Sequence, residues 1–215
     1  MKVFIGFDPR QPVAFQVCAQ SVWEHASSPV DIIRLDLRTL PITRRGLTEF
    51  TYSRFLVPYL SGFTGHSLFL DSDILVRSDV TKMLDAALDA SNRMVCISMN
   101  KLKFEWASVM LFNNALCKHL TPDFIDNPAN RMYDWQWCPA PGELTPEWNH
   151  LVGYDKPNPD AKIVHYTRGI PVWKETIGCE FAKEWRDTWE RMNSTVTYQE
   201  LMGRSVHVNR PMVTA

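Results

Sequence analysis

The sequence predicts an α/β fold in which a mixed, mostly parallel central sheet is flanked by helices. The chain opens with an apolar strand at 2–7, a helix from Pro12 to His25 and a second strand at 30–37. A strand, a helix and a strand in this order favour parallel pairing through a right-handed crossover. Further apolar runs typical of strands follow at 66–71, 93–99, 106–113 and 161–167.

Three more helices are expected after the second strand. A proline-interrupted segment over 48–60 predicts one, and the segment 79–88 predicts another. Ser78 or Asp79 begins the latter, because a short polar side chain there can accept a hydrogen bond from the first turn. A C-terminal helix is predicted over about 179–192. Its apolar face carries Phe181, Trp185, Trp189 and Met192.

Length and composition favour one domain. The chain has 215 residues, of which 45% are hydrophobic, and no repeat or linker divides it. We therefore expect a single domain over 1–215, with an irregular region at about 114–160. The expected core includes Trp23, Trp185 and Trp189.

Charge and targeting signals exclude several classes of partner. The net charge of -1 provides no field that would attract nucleic acid. No apolar run has the length of a transmembrane segment, and the short opening run is not typical of a signal peptide. The five cysteines are scattered, with no C-x-x-C, which favours reduced thiols. We therefore expect a cytoplasmic protein.

Two carboxylates interrupt the most apolar part of the chain, at Asp71-Ser72-Asp73. Residues i and i+2 of an extended segment point the same way, so both carboxylates converge. Their repulsion is relieved by a proton or by a cation such as Mg²⁺ or Mn²⁺, whose remaining positions diphosphate oxygens can fill. Open α/β sheets bind ligands at such strand ends. The alternative is a polar turn in which one aspartate bonds to backbone amides.

His165 is the candidate third ligand of such an ion. It ends a predicted strand and is followed at once by Arg168 and Gly169. The arginine could pair with a phosphate, and the glycine would allow close approach of the backbone. The alternative is a packed or surface histidine.

Five segments follow one another in a recognisable order over roughly residues 2–175. They read FTYSRFLVP, LFLDSDILV, WASVMLFN, LTPEWNHLVGY and VHYTRGIPVW. With these segments the chain resembles GT-A-fold glycosyltransferases, specifically the glycogenin-like, retaining family 8 group in its bacterial or phage type. The resemblance implies a single GT-A (Rossmann-like) domain. It also implies transfer of a hexose from a nucleotide-sugar, usually UDP-linked, with retention of configuration.

The resemblance further implies which residues hold the donor. Asp71, Asp73 and His165 would be the ligands of Mn²⁺ or Mg²⁺. The metal and a nearby cation would stabilise the charge that develops on the leaving diphosphate. The acceptor, which the sequence does not name, would be a glycan, a lipid or a protein. The residues implied to contact the UDP-sugar are Phe7, Asp8, Arg54, Asp71, Ser72, Arg168 and Gly169.

The catalytic region departs from the family pattern. An acidic D-Q or D-D-D stretch normally precedes the L-P-x-x-W-N motif, whereas this chain reads YDWQWCPAPGEL. Gln136 is expected to stabilise the transition state through its amide oxygen, and Asp134 to contact the sugar hydroxyls. Trp135 and Trp137 would form walls of the acceptor site. The alternative is that Asp134 and Gln136 are ordinary loop residues.

Three rival functions stay open at this point. The altered catalytic region favours a degenerate transferase that binds a nucleotide-sugar without turning it over. A phosphatase of the haloacid dehalogenase type also uses D-x-D after a strand, but there the motif normally follows the first strand. A non-enzymatic α/β module with a polar turn would show no response to metal ions.

Overall fold

The computed structural model describes residues 1–87, 89–192 and 198–203, and its centre is a six-stranded sheet in the order β2-β1-β3-β6-β5-β7. The strands are β1 (Lys2–Gly6), β2 (Asp31–Leu35), β3 (His66–Leu70), β4 (Ile74–Val76), β5 (Val95–Ile97), β6 (Val109–Asn113), β7 (Gly142–Glu143), β8 (His150–Leu151) and β9 (Ile163–His165). β1 pairs in parallel with β2 and β3, and β5 in parallel with β7. β6 lies antiparallel between β3 and β5. The predicted mixed, mostly parallel sheet is confirmed.

A second sheet of three strands adjoins the first, in the order β4-β9-β8. β9 runs antiparallel to β4 and parallel to β8. β9 lies within the strand predicted at 161–167, whereas sequence analysis missed β4, β7 and β8. Each of these three strands has only two or three residues, which is too short for a periodicity to show.

The helices are α1 (Pro12–His25), α2 (Val57–Leu60), α3 (Met83–Ala86), α4 (Pro122–Asp126), α5 (Ala182–Arg191) and α6 (Tyr198–Met202). α1 has the bounds that the sequence predicted, and α5 covers most of the helix expected at 179–192. The helix predicted over 48–60 is wrong as one element, because the chain forms a 3₁₀-helix at Ser53–Leu56 followed by the single turn of α2.

The segment predicted as a helix over 79–88 also divides into two short pieces. A 3₁₀-helix at Val80–Lys82 leads into α3, and Asp79 caps it by accepting a hydrogen bond from the Thr81 N–H. The last residue of that prediction, Leu88, lies outside the described residues, as do 193–197 and 204–215 of the expected single domain.

Alternating side chains of the central strands form the core on both sides of the sheet. Val3 and Ile5 of β1 pack with Leu68 and Leu70 of β3 and with one side of α1. Phe4 points to the opposite face of the sheet. There it meets a large aromatic cluster that includes Phe55, Phe69, Phe112, Trp135 and Trp137. Consequently, both faces of the central sheet are covered, as expected for a sheet rich in parallel strands.

The tryptophans divide between core and surface. Trp185 is fully buried against α1, and Trp189 packs half-buried beside it. Trp135 and Trp137 are buried in the aromatic cluster with ring centroids 5.4 Å apart, instead of forming an open wall. The expectation for Trp23 is wrong, because its side chain is 56% exposed. It lies about two helical turns after exposed Gln16, on the outer side of α1.

All five cysteines are free thiols, as predicted. Four are buried, and burial raises the pKa of Cys117 to about 12 and that of Cys96 to about 11. These thiols are therefore unreactive at neutral pH. No helix in the described part of the chain is both long and apolar enough to span a bilayer.

The contrast between Trp185 and Trp23 leads to a stability prediction. Replacing Trp185 by Ala removes a fully buried ring and should lower the free energy of unfolding by about 3–5 kcal/mol. The matched control Trp23→Ala should change it by less than about 0.5 kcal/mol. Urea unfolding followed by circular dichroism measures both values. Equal losses in the two variants would contradict the packing described here.

Candidate metal centre

Asp71 and Asp73 lie where the two sheets meet. Asp71 directly follows β3 of the large sheet, and Asp73 directly precedes β4 of the small sheet. The Asp71 N–H donates to the Ser108 carbonyl at 2.9 Å, and the Asp73 carbonyl accepts from the Tyr166 N–H at 2.9 Å. Asp71 and Ser72 are buried, and Asp73 is half-buried. The backbone of the D-x-D segment is therefore attached to both sheets.

Two antiparallel pairings bring further polar residues to this place. Leu70 at the end of β3 lies opposite Val109 at the start of β6, so the segment entering β6 lies beside Asp71. That segment is a 3₁₀-helix, Lys103–Ser108, which carries Glu105. In the small sheet, Ile74 of β4 lies opposite His165 of β9. The antiparallel partners of β3 and β4 thus place Glu105 and His165 at the same site.

These residues form a compact group, which we call the carboxylate–histidine cluster: Asp71, Asp73, Glu105 and His165. One ligand atom each from Asp71, Glu105 and His165 lie within 4.8 Å of one another. His165 Nε2 is 3.4 Å from Asp73 Oδ1, and its Nδ1 is 3.9 Å from Glu105 Oε2. The structure therefore brings together the three predicted ligands and adds a third carboxylate.

Burial and mutual repulsion perturb the cluster electrostatically. Burial raises the pKa of Asp71 to about 7, with Asp73 adding to the shift and Arg54 opposing it. Burial alone would lower the pKa of His165, but the neighbouring carboxylates, Asp73 foremost, outweigh it and raise the pKa to about 9. The shift of the His165 pKa reflects the surrounding carboxylates, whereas that of Asp71 reflects mainly its burial. Carboxylates gathered in a buried place favour binding of a cation.

Arg54 holds Asp71 from behind. Its guanidinium is almost fully buried, and Nη2 lies 3.0 Å from Asp71 Oδ1. Nη1 donates to the Ala107 carbonyl at 3.0 Å, and Nε donates to the Phe50 carbonyl at 3.3 Å. The rings of Phe50 and Phe69 lie 5.4 and 5.2 Å from the guanidinium carbon. Arg54 thus orients Asp71. Sequence analysis had instead expected the Arg54 side chain to face the nucleotide.

Asn149 orients His165 in a similar way. Its Nδ2 donates to the Glu105 carbonyl at 2.9 Å, which leaves Oδ1 to face His165 Nδ1 at 3.3 Å. An amide oxygen there requires a proton on Nδ1, so neutral His165 presents the lone pair of Nε2 towards Asp73. Asn149 is fully buried. Sequence analysis quoted this residue in LTPEWNHLVGY but assigned it no role.

The donor set of the cluster fits a hard divalent cation. Carboxylate oxygens with one imidazole nitrogen suit Mn²⁺ or Mg²⁺. Asp73 Oδ1 is buried and makes no hydrogen bond of ordinary geometry with a described residue, although His165 Nε2 lies 3.4 Å away. An acceptor satisfied so weakly favours a cation or a donor from outside the chain.

Phe7 and Asp8 extend β1 at the same edge of the sheet as Asp71. The parallel pairing of β1 with β3 places Ile5 opposite Leu70, so the next residues of both strands are neighbours. The Asp8 carboxylate forms an ion pair with Arg10 at 2.6 Å. The Arg34 guanidinium lies 4.6 Å from the centre of the Phe7 ring. These two predicted nucleotide contacts therefore lie beside the D-x-D segment.

Arg168 and Gly169 follow β9 shortly after His165. Arg168 is exposed, with its guanidinium 4.6 Å from the centre of the Tyr154 ring. Gly169 has φ +111°, a conformation that L side chains rarely adopt, and an added Cβ would lie 3.3 Å from the Trp173 ring. Glycine is therefore required at this turn.

The structure places Asp134 in an ion pair and Gln136 in the wall of a cavity. Asp134 forms an ion pair with Arg131 at 2.9 Å. Gln136 is exposed and lines a cavity of about 130 Å³ together with Phe124 and Arg131. The neighbouring rings of Tyr133 and Trp135 pack against Phe104 and Trp106, on either side of Glu105. Among the described residues, however, no hydrogen bond or ion pair joins Asp134 or Gln136 to the carboxylate–histidine cluster. Their catalytic roles stay predictions.

The buried pair of Arg54 and Asp71 leads to a second stability prediction. Arg54→Met should lower the free energy of unfolding in EDTA by about 3–5 kcal/mol, because it leaves Asp71 buried without its cation. The double variant Arg54→Met/Asp71→Asn should recover part of the lost free energy of unfolding. The control Arg93→Met breaks an exposed pair with Asp89 and should cost less than about 1 kcal/mol. Chemical unfolding of the three variants and the unaltered protein measures this, and a loss below about 1 kcal/mol for Arg54→Met would contradict the role given to the pair.

Comparison with solved structures shows the fold. The galactosyltransferase LgtC, in complex with donor and acceptor sugar analogues, superposes with a TM-score of 0.64 and 13% identity, over 91% of this chain and 97% of that protein. GlyE of Streptococcus pneumoniae TIGR4 gives 0.63 and 17% identity, over 100% of this chain and 66% of that one. The bifunctional glycosyltransferase WbbM gives 0.63 and 13% identity over 97% of this chain, which spans 50% of its length. The fold is the GT-A fold of these glycosyltransferases.

Sequence comparison shows the family. No protein-family model matches the chain. Protein CDI of Arabidopsis thaliana is 32% identical over 229 aligned positions, which cover 89% of this chain and 87% of that protein. Identity of this level over nearly the whole of both chains shows that the protein belongs to the family of Arabidopsis Protein CDI.

Proposed function

We propose that this protein is a metal-dependent glycosyltransferase that moves a hexose from a UDP-linked sugar to an acceptor with retention of configuration, as in the glycogenin-like family 8 group. The observation that carries the proposal is the carboxylate–histidine cluster at the junction of the two sheets of a GT-A fold. LgtC, which shares that fold, has been solved with donor and acceptor sugar analogues. A cation site at this junction is where a diphosphate would be held.

In this proposal Asp71, Asp73 and His165 hold Mn²⁺ or Mg²⁺. When bound, the ion supplies positive charge to the diphosphate as its bond to the sugar breaks. Arg54 keeps Asp71 in place through a buried ion pair, and Asn149 keeps the Nε2 lone pair of His165 directed towards Asp73. Ligands held in this manner need little reorganisation when charge develops on the leaving group.

The proposed donor site continues on both sides of the metal centre. Phe7 and Asp8, beside Asp71, would contact the uracil and ribose, and Ser72 would contact the diphosphate. On the other side, Arg168 supplies an exposed cation after β9. The turn at Gly169 has no side chain, so the backbone there can approach a phosphate closely. The acceptor is proposed to be a glycan, a lipid or a protein.

One observation favours the alternative of a nucleotide-sugar-binding protein without turnover. Asp134 is paired with Arg131, and Gln136 faces a separate cavity lined by Phe124. If neither residue reaches the sugar, the donor site has no catalytic group from this segment. Binding and turnover therefore require separate tests.

Donor binding is tested by calorimetric titration of UDP with Mn²⁺ and with EDTA. We expect micromolar affinity with Mn²⁺ and a loss of at least about 100-fold, or about 2.7 kcal/mol, in EDTA or in Asp73→Ala. The control Asp187→Asn changes a carboxylate of α5 that pairs with Lys183 and should leave UDP affinity unchanged. UDP binding of equal strength with EDTA, or in Asp73→Ala, would overturn the metal-dependent donor site.

Turnover is tested with a panel of UDP-sugars by measuring UDP release. A transferase should release UDP from at least one donor faster than the buffer control, by slow hydrolysis when no acceptor is present, and EDTA should abolish the release. NMR of the product should show the anomeric configuration of the donor. Tight, metal-dependent UDP binding without release from any donor, even with glycan, lipid and protein acceptors added, would support the non-catalytic alternative.

A further inference from the structure

We infer that Glu105 is a fourth protein ligand of the divalent cation, and that the cation binds to the protein before any nucleotide does. The use of the cation in donor binding rests on the proposed function, whereas the ligand set and the order of binding rest on the cluster itself. Neither the D-x-D segment nor the histidine motif implies a ligand from the strand that neighbours β3.

The 3₁₀-helix that enters β6 directs Glu105 into the site. A 3₁₀-helix has three residues per turn, so Glu105 and Ser108 share one side of it. The Ser108 hydroxyl donates to Glu105 Oε2 at 2.8 Å, and this bond fixes the carboxylate. The side chain of Glu105 is only 16% exposed, and it takes part in the group whose ligand atoms lie within 4.8 Å. Its position is therefore defined before a cation arrives.

The backbone of the same segment is attached to the other ligands. Asn149 donates to the Glu105 carbonyl and also faces His165, so one buried amide positions both residues. The Ser108 carbonyl accepts from the N–H of Asp71 at 2.9 Å. Glu105 thus belongs to the same rigid assembly as Asp71 and His165, in which ligands require little movement to bind an ion.

Charge balance explains why a cation would bind without a nucleotide. With an ion bound through Nε2, His165 is neutral, and the occupied site would hold three carboxylates, Arg54 and the ion. Three negative charges, the single positive charge of Arg54 and a divalent cation sum to zero. No phosphate is therefore required to balance the charge of this largely buried site. With two carboxylates, the occupied site would keep one positive charge until a diphosphate arrived.

The number of protein ligands leaves room for a diphosphate to bind to the ion afterwards. Three oxygen ligands and one nitrogen leave two positions of a six-coordinate ion for oxygens from outside the chain. A diphosphate could then add to a metal centre that is already in place.

The test is calorimetric titration of Mn²⁺ into the nucleotide-free 215-residue chain. We expect one ion per chain, and at least about tenfold weaker binding by Glu105→Gln. The control Glu190→Gln alters an exposed carboxylate on α5 and should bind Mn²⁺ as the unaltered protein does. Ser108→Ala keeps the carboxylate but removes its hydrogen bond, so it should give an intermediate loss of affinity.

Thermal unfolding in EDTA separates a ligand from a residue that only supports the fold. Glu105→Gln keeps an acceptor for the Ser108 hydroxyl and removes one of the three carboxylate charges of the cluster. As a ligand variant it should unfold in EDTA at the same temperature as the unaltered protein or higher, and gain less from Mn²⁺. A structural role for the Glu105 charge would instead lower the unfolding temperature in EDTA.

Each outcome of these measurements decides one point. Equal Mn²⁺ affinity of Glu105→Gln and the unaltered protein would overturn the ligand role. Mn²⁺ binding that appears only after UDP is added would overturn the order of binding. Nucleotide-free Mn²⁺ binding that depends on Glu105, combined with no UDP binding at all, would uphold this inference and overturn the proposed function alone.

Discussion

The rest of the site depends on the buried ion pair between Arg54 and Asp71. Arg54 is the fixed cation that makes a buried carboxylate tolerable at the end of β3. Its remaining nitrogens bind the carbonyls of Phe50 and Ala107, so the same side chain connects the loop before Ser53–Leu56 to the entry of β6. A buried pair contributes less to stability than to position, because desolvation offsets much of its attraction. Here its effect is to hold Asp71 where Glu105 and His165 can approach.

Strand direction explains how residues so distant in sequence meet. In a wholly parallel sheet, the segment entering β6 would lie at the opposite edge from the end of β3. Antiparallel pairing of β6 with β3 brings Glu105 beside Asp71, and antiparallel pairing of β9 with β4 brings His165 beside Asp73. Asn149, just before β8, then bridges Glu105 and His165. The carboxylate–histidine cluster therefore results from two reversals of strand direction at one junction.

Local features of the site were predictable from the sequence, whereas the direction of strand pairing was not. The convergence of Asp71 and Asp73 was predictable because i, i+2 spacing after an apolar strand is a local signal. Helix α1 was predictable because Pro12 marks its start. Glu105 was missed although its neighbouring strand was predicted, since the direction of pairing depends on distant parts of the chain. The helix predicted over 48–60, with a break near Pro58, was wrong as one element, because short helical segments have little stability of their own and the chain forms only a 3₁₀-helix and one α-helical turn there. The expectation for Trp23 was wrong because partial periodicity did not distinguish the sides of α1.

In the proposed function, donor binding and catalysis would depend on different parts of this molecule. The residues of the carboxylate–histidine cluster are fixed by buried hydrogen bonds and ion pairs, so their geometry is already set before a ligand binds. The segment around Asp134 and Gln136 has its own ion pair and its own cavity, although the rings of Tyr133 and Trp135 pack against Phe104 and Trp106, on either side of Glu105. Loss of a catalytic group there would leave the proposed cation and diphosphate contacts intact. In the proposed function, metal-dependent nucleotide binding is therefore separable from turnover, because no hydrogen bond or ion pair among the described residues joins Gln136 to Asp71, Asp73, Glu105 or His165.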